Sequence, residues 1–141
     1  MNRKSIFTFL LIISILNSCQ YGLHSKKIEG NYYLTYVDDE FDTSVSYMFD
    51  DGSCVGVVND GVYAVGFNSD FIIVKAHPFY RPNFLNRDVT NFYIIPLNNT
   101  VPEQVDEDKI GPLTEPEFNK MREKLNIPQD IGFTMEVNYN K

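Results

Sequence analysis

The sequence predicts a mainly β domain, in which an antiparallel meander forms a small sandwich or a partly open barrel and one α-helix in the C-terminal half packs on it. Three observations support this fold class. From residue 31 onward the chain is rich in Tyr, Val, Ile, Phe and Thr, which favour strands. Between residues 43 and 76, turn-forming residues separate short apolar runs. A helical pattern is found at residues 114–126.

The first element along the chain is an apolar segment that follows a basic start. Arg3 and Lys4 precede an apolar run from Ile6 to Leu16. This run is well below the roughly 20 residues that a membrane-spanning helix needs. A basic start and an apolar run of this length are typical of a secretory signal, so residues 1–18 are predicted to be a signal peptide. An uncleaved signal anchor and an ordinary, non-lipidated signal peptide are the alternatives.

The end of this segment, Leu16-Asn17-Ser18-Cys19, resembles the lipobox of bacterial lipoproteins, although Asn17 departs from the commoner residue at its position. The resemblance implies that the Cys19 thiol receives diacylglycerol, that cleavage precedes Cys19, and that the new amino group is acylated, for example with palmitate. Two or three acyl chains give stable anchoring, since each buried CH₂ contributes about 0.8 kcal/mol. The protein is therefore expected in the bacterial cell envelope, anchored to a membrane by lipid, and to the outer membrane if the cell is Gram-negative.

The remaining chain divides into a lipidated tether at residues 19–29 and a single β-rich domain at residues 30–141. Loss of Arg3 and Lys4 with the signal leaves 12 − 2 = 10 basic residues against 19 acidic ones, so the formal charge falls from −7 to −9. So acidic a chain repels nucleic acid and anionic lipid head groups. A nucleic-acid partner is therefore excluded, and the membrane link is expected to come from the lipid and not from the folded surface.

The strand region begins at residue 31 with "NYYLTYVD". In "SVSYMF" at 44–49 the alternation places Val45, Tyr47 and Phe49 on one face. "DDGS" at 50–53 predicts a hairpin turn, and "NDG" at 59–61 repeats the same chemistry. Gly56 and Gly66 within strands indicate bulges or close backbone packing. If Cys19 is acylated, Cys54 is the remaining cysteine, and its apolar run "SCVGVV" predicts a small buried residue and not a nucleophile.

The second half of the chain contains fewer strands. Residues 77–90 and 98–112 are predicted to be loops on either side of the strand "NFYIIPL", and "GFTMEVNY" at 132–139 is predicted to be the last strand. In the helix, Thr114 and Glu117 form a capping-box pattern. Phe118, Met121 and Leu125 form one apolar stripe, which predicts that the helix docks on the sheet.

Segments from about Gly30 to about Gly132 resemble a family of small bacterial proteins, often lipoproteins, whose function is unknown. They include "SYMFDDGSCVGVV", "FIIVKAHP", "NFYIIPL" and "GPLTEPEFNKMREKLNIPQD". The resemblance implies no activity, ligand or catalytic residue.

A candidate binding segment lies at residues 77–93, where aromatic residues and arginines occur together. Aromatic and Arg side chains are enriched at binding hot spots. Tyr80, Arg81, Phe84 and Arg87 are the predicted binding residues, for an anionic or sugar-like group or for an acidic partner surface. The rival interpretation is that these rings cover one end of the β structure.

Two functions from different classes remain open. The first is a lipid-anchored binding or interaction module of the envelope without chemistry of its own, which binds an envelope protein or a small ligand. The second is a small hydrolase that uses His77 with a nearby Asp, for which Asp50, Asp60 and Asp88 are candidates. A purely structural envelope protein is a third possibility. No cofactor is indicated, and no metal site either, because the acidic clusters at 38–42 and 106–109 lack the ligand spacing of a calcium loop.

Overall fold

The computed structural model describes residues 23–37, 42–82, 84–98 and 101–137. Within these ranges the chain forms two antiparallel sheets, a two-stranded ribbon and one α-helix, and the sheets do not close into a barrel. The predicted fold class is therefore confirmed. The predicted signal peptide, Cys19 and most of the acidic cluster at 38–42 lie outside the described residues.

The first sheet is a four-stranded antiparallel meander. Its first strand was not expected, because residues 19–29 were assigned to a polar tether. Five of these residues instead pair with the next strand in register, from Leu23 opposite Val37 to Lys27 opposite Tyr33. Backbone pairing along an edge tolerates polar side chains, so composition gave no strand signal here. In spatial order the strands are β1 (Leu23–Lys27), β2 (Tyr32–Val37), β3 (Ser44–Met48) and β4 (Cys54–Val58).

The second sheet has five strands in the order β10-β9-β6-β5-β11, and all of its pairs are antiparallel. The predicted last strand is reduced to two paired residues, and the short edge strand β10 begins inside the segment 98–112 that was predicted to be a surface loop. A two-stranded ribbon, β7-β8, leaves the sheet after β6. The strands are β5 (Gly61–Phe67), β6 (Phe71–His77), β7 (Phe79–Arg81), β8 (Phe84–Leu85), β9 (Asn91–Pro96), β10 (Ile110–Leu113) and β11 (Met135–Glu136).

The larger hydrophobic core lies between the two sheets. Val45 and Tyr47 of β3 point into it and Phe49 packs against it, as their alternation predicted. Apolar side chains of one sheet face pack against those of the other and are removed from water, which is the main favourable contribution to folding. The core residues from the first sheet and its turn are Ile28, Tyr32, Leu34, Val45, Tyr47, Val57 and Val58, and those from the second sheet are Val62, Val65, Ile72, Val74, Ala76, Tyr93 and Ile95.

The second core lies on the opposite face of the second sheet, under the helix α1 (Glu115–Lys124). Phe118 is 2 % exposed and stacks on Phe92 with ring centroids 4.8 Å apart. Met121 and Leu125 pack against the same cluster, so the predicted apolar stripe is confirmed.

The start of α1 follows the predicted capping chemistry. The Glu117 carboxylate accepts hydrogen bonds from the Thr114 backbone N–H at 2.8 Å and from its hydroxyl at 2.7 Å. These bonds hold the pKa of Glu117 below its ordinary value. Pro116 lies in the first turn, where its missing N–H leaves no helical hydrogen bond unmade.

One prediction within the strand region is wrong. Residues 43–76 were expected to form one continuous meander, but β4 belongs to the first sheet and β5 to the second. The Asn59-Asp60 turn therefore joins two sheets and does not close a hairpin. The Asp-Gly turn at 50–53 does close one: Gly52 has φ 84°, and the Phe49 N–H donates to the Ser53 carbonyl at 2.8 Å.

The predicted burial of Cys54 is also wrong, since its thiol is exposed. Cys54 is the first residue of β4 and lies opposite Met48 beside the hairpin turn. In this strand burial increases toward the other end, where Val57 and Val58 enter the core. The apolar residues around Cys54 in sequence therefore predicted the strand correctly but did not predict how buried Cys54 is within it.

The segment predicted to be a surface loop at 98–112 also contributes to the core. A 3₁₀ helix at Pro102–Gln104 precedes Val105, which is 2 % exposed and belongs to the core between the sheets. Lys109 fixes the segment to the first sheet, because its Nζ donates to the Val57 carbonyl at 2.7 Å.

The two ends of the sandwich differ, and the strand registers identify them. At one end β1 begins, β4 ends near the start of β3, and the Val62 N–H donates to the Thr43 carbonyl at 2.9 Å. At this same end β5 begins at Gly61 opposite His77, the last residue of β6. We call this end of the sandwich the ribbon end, because β7 begins two residues after His77. The opposite end, called the turn end, has the turns after β1, β3 and β5.

Gly66 of β5 provides a test of the packing. A Cβ there would lie 2.2 Å from the Gly132 carbonyl oxygen, a backbone atom that cannot rotate away. We expect Gly66→Ala to lower the free energy of unfolding by about 1–3 kcal/mol through overpacking, as measured by urea denaturation. Gly132→Ala is the matched control, because a Cβ at that position meets nothing within 4 Å. Equal stability of the two variants would contradict the close approach.

Candidate binding ribbon

The ribbon β7-β8 supplies the strongest candidate site, and it occupies the segment that the sequence singled out. Phe79 pairs with Leu85 and Arg81 with Phe84, with an irregularity between the two pairs. The predicted loop therefore contains ordered strand pairing. Backbone bonds from the Asn86 N–H to the Pro78 carbonyl at 2.8 Å and from the Val89 N–H to the Asn86 carbonyl at 3.2 Å close its base.

At the outer part of the ribbon an arginine lies against two aromatic rings. The Arg81 guanidinium carbon is 5.1 Å from the ring centroid of Tyr80 and 5.2 Å from that of Phe84. The two rings are 6.0 Å apart and tilted by 50°. Cation–π contacts of this kind orient a guanidinium without using its N–H donors, which stay available for a ligand.

These rings are exposed and do not cover the core. Tyr80 is 55 % and Phe84 53 % exposed. The described residues contain four exposed large apolar side chains, and three of them, Tyr80, Phe84 and Val89, belong to this one segment. Exposed apolar groups that cluster in one place are typical of a binding surface, whereas scattered ones need no explanation.

An open groove of ≈ 560 Å³ lies beside the ribbon and is lined by Tyr80, Leu85, Asn86, Arg87 and Asp88. Arg87 contributes a second positive charge and Asp88 a negative one. All four predicted residues thus belong to the ribbon or its groove: Tyr80, Arg81 and Phe84 form the aromatic–arginine contact, and Arg87 lines the groove. Whether they bind a ligand stays a prediction.

The ribbon is anchored through its base. The Leu85 side chain occupies the space where a Cβ on Gly61 would lie, 2.5 Å from that position. Next to it, the His77 ring stacks on Tyr63 with centroids 4.3 Å apart, and the Tyr63 hydroxyl and Thr90 Oγ1 are 2.9 Å apart. These contacts fix the start of β5, the end of β6 and the base of the ribbon to one another.

His77, the base of the hydrolase alternative, has a clear local role. Its Nδ1 lies 2.8 Å from the Val89 carbonyl oxygen, which can only accept, so Nδ1 carries a proton. Of the candidate partners, Asp50 lies at the turn end of the sandwich. Asp60 bonds to Tyr93 of the core between the sheets, whereas His77 follows Ile73 by four positions in β6 and so lies on the helix side of the second sheet. Asp88 adjoins Val89, so the hydrolase alternative would depend on it and stays a prediction.

A polar network that the sequence did not indicate lies at the start of β5 and β9, close to the base of the ribbon. The Asp60 carboxylate accepts hydrogen bonds from the Tyr93 hydroxyl and, at 3.3 Å, from Asn91 Nδ2. Desolvation by burial, together with the Asp60 carboxylate, raises the pKa of Tyr93 above its ordinary value. Residues 60 and 93 are 33 positions apart, and no motif links them, so no local pattern could have identified the pair.

Two smaller cavities lie elsewhere. One, of ≈ 350 Å³ at the turn end, is lined by residues of the β1–β2 and β5–β6 turns, including Glu29 and Ser69. The other, of ≈ 340 Å³, has Leu113 and Met121 beside Lys120 and Lys124 of α1. In the described part of the chain no three His, Cys, Asp or Glu side chains are grouped so that they could hold a metal ion. None of its helices is long and apolar enough to cross a membrane.

The Asp60–Tyr93 contact predicts an alkaline loss of stability. The folded state retains the Tyr93 proton above the ordinary tyrosine pKa of about 10, so this contribution is complete below that pH and is lost as pH rises above it. We expect Tyr93→Phe to unfold more readily at neutral pH but to lose stability less steeply between about pH 9 and pH 11, measured by urea denaturation across pH. Tyr80→Phe controls for loss of a tyrosine hydroxyl. If Tyr93→Phe leaves the slope of unfolding free energy against pH unchanged, Tyr93 is not the source of the alkaline loss of stability.

Comparison with known proteins identifies the chain at the level of family. No curated protein and no solved structure matches it. Residues 29–138 match a family described as protein of unknown function, DUF3997. This match confirms the resemblance to a family of unknown function, and it spans β2 to β11, including the ribbon. The chain therefore belongs to the DUF3997 family of proteins of unknown function.

Proposed function

We propose that this protein is a lipid-anchored binding module of the bacterial cell envelope, without catalytic activity of its own, and that it binds through the β7-β8 ribbon. The observation that carries this proposal is the exposed Tyr80–Arg81–Phe84 contact beside the groove. Exposed aromatic rings lose little conformational entropy on binding, because they have two side-chain torsions, and they bury a large apolar area.

Charge favours an anionic or acidic target for this surface. Arg81 and Arg87 lie on a chain whose formal charge is −7. A guanidinium donates two parallel hydrogen bonds to a carboxylate or a phosphate, which gives geometric specificity as well as affinity. Both arginines are exposed, so binding does not first require a buried charge to be uncovered.

The membrane part of the proposal rests on the sequence alone. It depends on the short apolar run that ends in Leu16-Asn17-Ser18-Cys19 and on the similarity of this run to a lipobox. The outer membrane is the proposed location if the cell is Gram-negative.

The anchor predicts a specific result for Cys19→Ala. Without the thiol no thioether can form, so this variant should incorporate no fatty-acid analogue and should leave the membrane fraction or accumulate as a precursor. Metabolic labelling and membrane fractionation measure this. Cys54→Ala is the matched control, because it removes the other cysteine and should still be labelled. Labelling of Cys19→Ala equal to that of the unmodified protein would disprove the anchor.

The ribbon predicts a loss of binding without a loss of folding. In pull-down of the membrane-anchored protein, Tyr80→Ala/Arg81→Ala should capture less partner, because the double variant removes a ring and the cation that it orients. Its free energy of unfolding should change by no more than about 0.5 kcal/mol per site, since both side chains are exposed.

The matched control for charge is Lys120→Ala/Lys124→Ala, which removes two exposed cations of α1 that do not line the groove beside the ribbon. It should capture the partner as the unmodified protein does. Undiminished capture by the ribbon variant, or its unfolding, would contradict a binding role for this segment.

A further inference from the structure

The first strand, β1, begins at the same end of the sandwich as the ribbon. β1 begins at Leu23, and this first residue lies at the ribbon end of the sandwich, because it pairs with Val37 at the end of β2. The ribbon leaves the second sheet at the same end, where Gly61 pairs with His77. The strand that carries the N-terminal segment and the ribbon therefore start from the same end of the domain.

The distance from Cys19 to this end is short. The sequence suggested a tether that runs to residue 29, but β1 already begins at residue 23. Four residue steps separate Cys19 from Leu23, and a fully extended chain covers about 14 Å in four steps. A lipid on Cys19 would thus hold the ribbon end, and not the turn end, next to the bilayer surface.

The side chains on the ribbon suit that location. Tyrosine rings favour the membrane interface, where the ring contacts apolar groups and the hydroxyl stays hydrated. Phe84 and Val89 add exposed apolar area, and the Arg81 guanidinium lies against the Phe84 ring. A guanidinium pairs with the phosphate of a lipid head group as it does with any phosphate.

We infer that the ribbon is a second membrane contact, in which Tyr80 and Phe84 enter the head-group region of the bilayer that holds the Cys19 lipid. This inference rests on the proposed function, and it identifies the bilayer as the target that the β7-β8 ribbon binds. It departs from the expectation that only the lipid contacts the membrane. The lipid supplies attachment, and the ribbon fixes how the domain is oriented on the surface.

Acidic residues at the ribbon end determine which class of phospholipid the ribbon should contact. Asp42, Asp60 and Asp88 lie near the ribbon end, since they adjoin the start of β3, the start of β5 and the groove beside the ribbon. Anionic head groups would repel these carboxylates over about 8–10 Å at physiological salt. A zwitterionic head group still offers its phosphate to Arg81 but has no net negative charge to repel these carboxylates, so the ribbon should contact zwitterionic phospholipid more closely than anionic phospholipid.

The absence of tryptophan from the sequence allows a direct test. The lipidated full chain of Phe84→Trp is incorporated into phosphatidylcholine vesicles with and without brominated acyl chains, which quench a nearby indole. Cys54→Trp is the matched control, because Cys54 is also exposed but lies at the turn end, about 13 Å along β4 from Val58. Tyr80→Trp repeats the measurement on the neighbouring strand if Phe84→Trp folds poorly.

We expect bromolipid to quench the ribbon variants and to leave Cys54→Trp unquenched, and we expect the quenching to diminish when phosphatidylglycerol replaces part of the phosphatidylcholine. Unquenched ribbon variants, or equal quenching at both ends, would overturn the inference. If the ribbon variants stay unquenched while Tyr80→Ala/Arg81→Ala still loses partner capture, the proposed binding function stands and its target is not the bilayer. If the unmodified protein incorporates no fatty-acid analogue at Cys19, the anchor is absent and this inference fails with it.

Discussion

The structure depends on one strand that is buried on both of its faces. Ile72, Ile73 and Val74 of β6 are fully buried in succession, so neighbouring side chains point to opposite sides and each side needs its own cover. The first sheet covers the side of Ile72 and Val74, and α1 covers the side of Ile73. A helix of ten residues is not stable alone in water, so α1 and the second sheet stabilise each other.

The segment that follows α1 also helps to cover β6. Arg122 is 7 % exposed, and its guanidinium donates to the Ile131 carbonyl at 3.3 Å and to the Pro128 carbonyl. These bonds hold the chain that follows the helix over the sheet, where Ile127 and Ile131 complete the second core. A buried arginine is expensive to desolvate, and the two backbone carbonyls compensate part of this cost by accepting hydrogen bonds from its Nη2.

Because both cores are completed in this way, the aromatic residues of the ribbon are not needed to close the domain. The rival interpretation, that these rings cover an end of the β structure, agrees poorly with the exposure of Tyr80 and Phe84. The contacts that this segment makes with the second sheet instead use Leu85, which packs on Gly61, and the His77 ring, which stacks on Tyr63. The rigid base and the exposed outer part of one ribbon thus serve different purposes, as is common for functional loops.

The sequence by itself determined the features that depend on local pattern: the mainly β class, most strands, the Asp-Gly turn, the Thr114–Glu117 helix start and the grouping of aromatic residues with arginines. It could not determine the strand at 23–27, the exposure of Cys54, the separation of β4 from β5, or the Asp60–Tyr93 bond. Each of these depends on which distant segment lies opposite, because strand pairing and burial are set by contacts between residues far apart in the chain. The same reason applies to the ribbon. Proximity in sequence grouped Tyr80, Arg81 and Phe84, but only the tertiary structure decided that Arg81 lies against both rings and that the ribbon lies at the end of the sandwich where β1 begins.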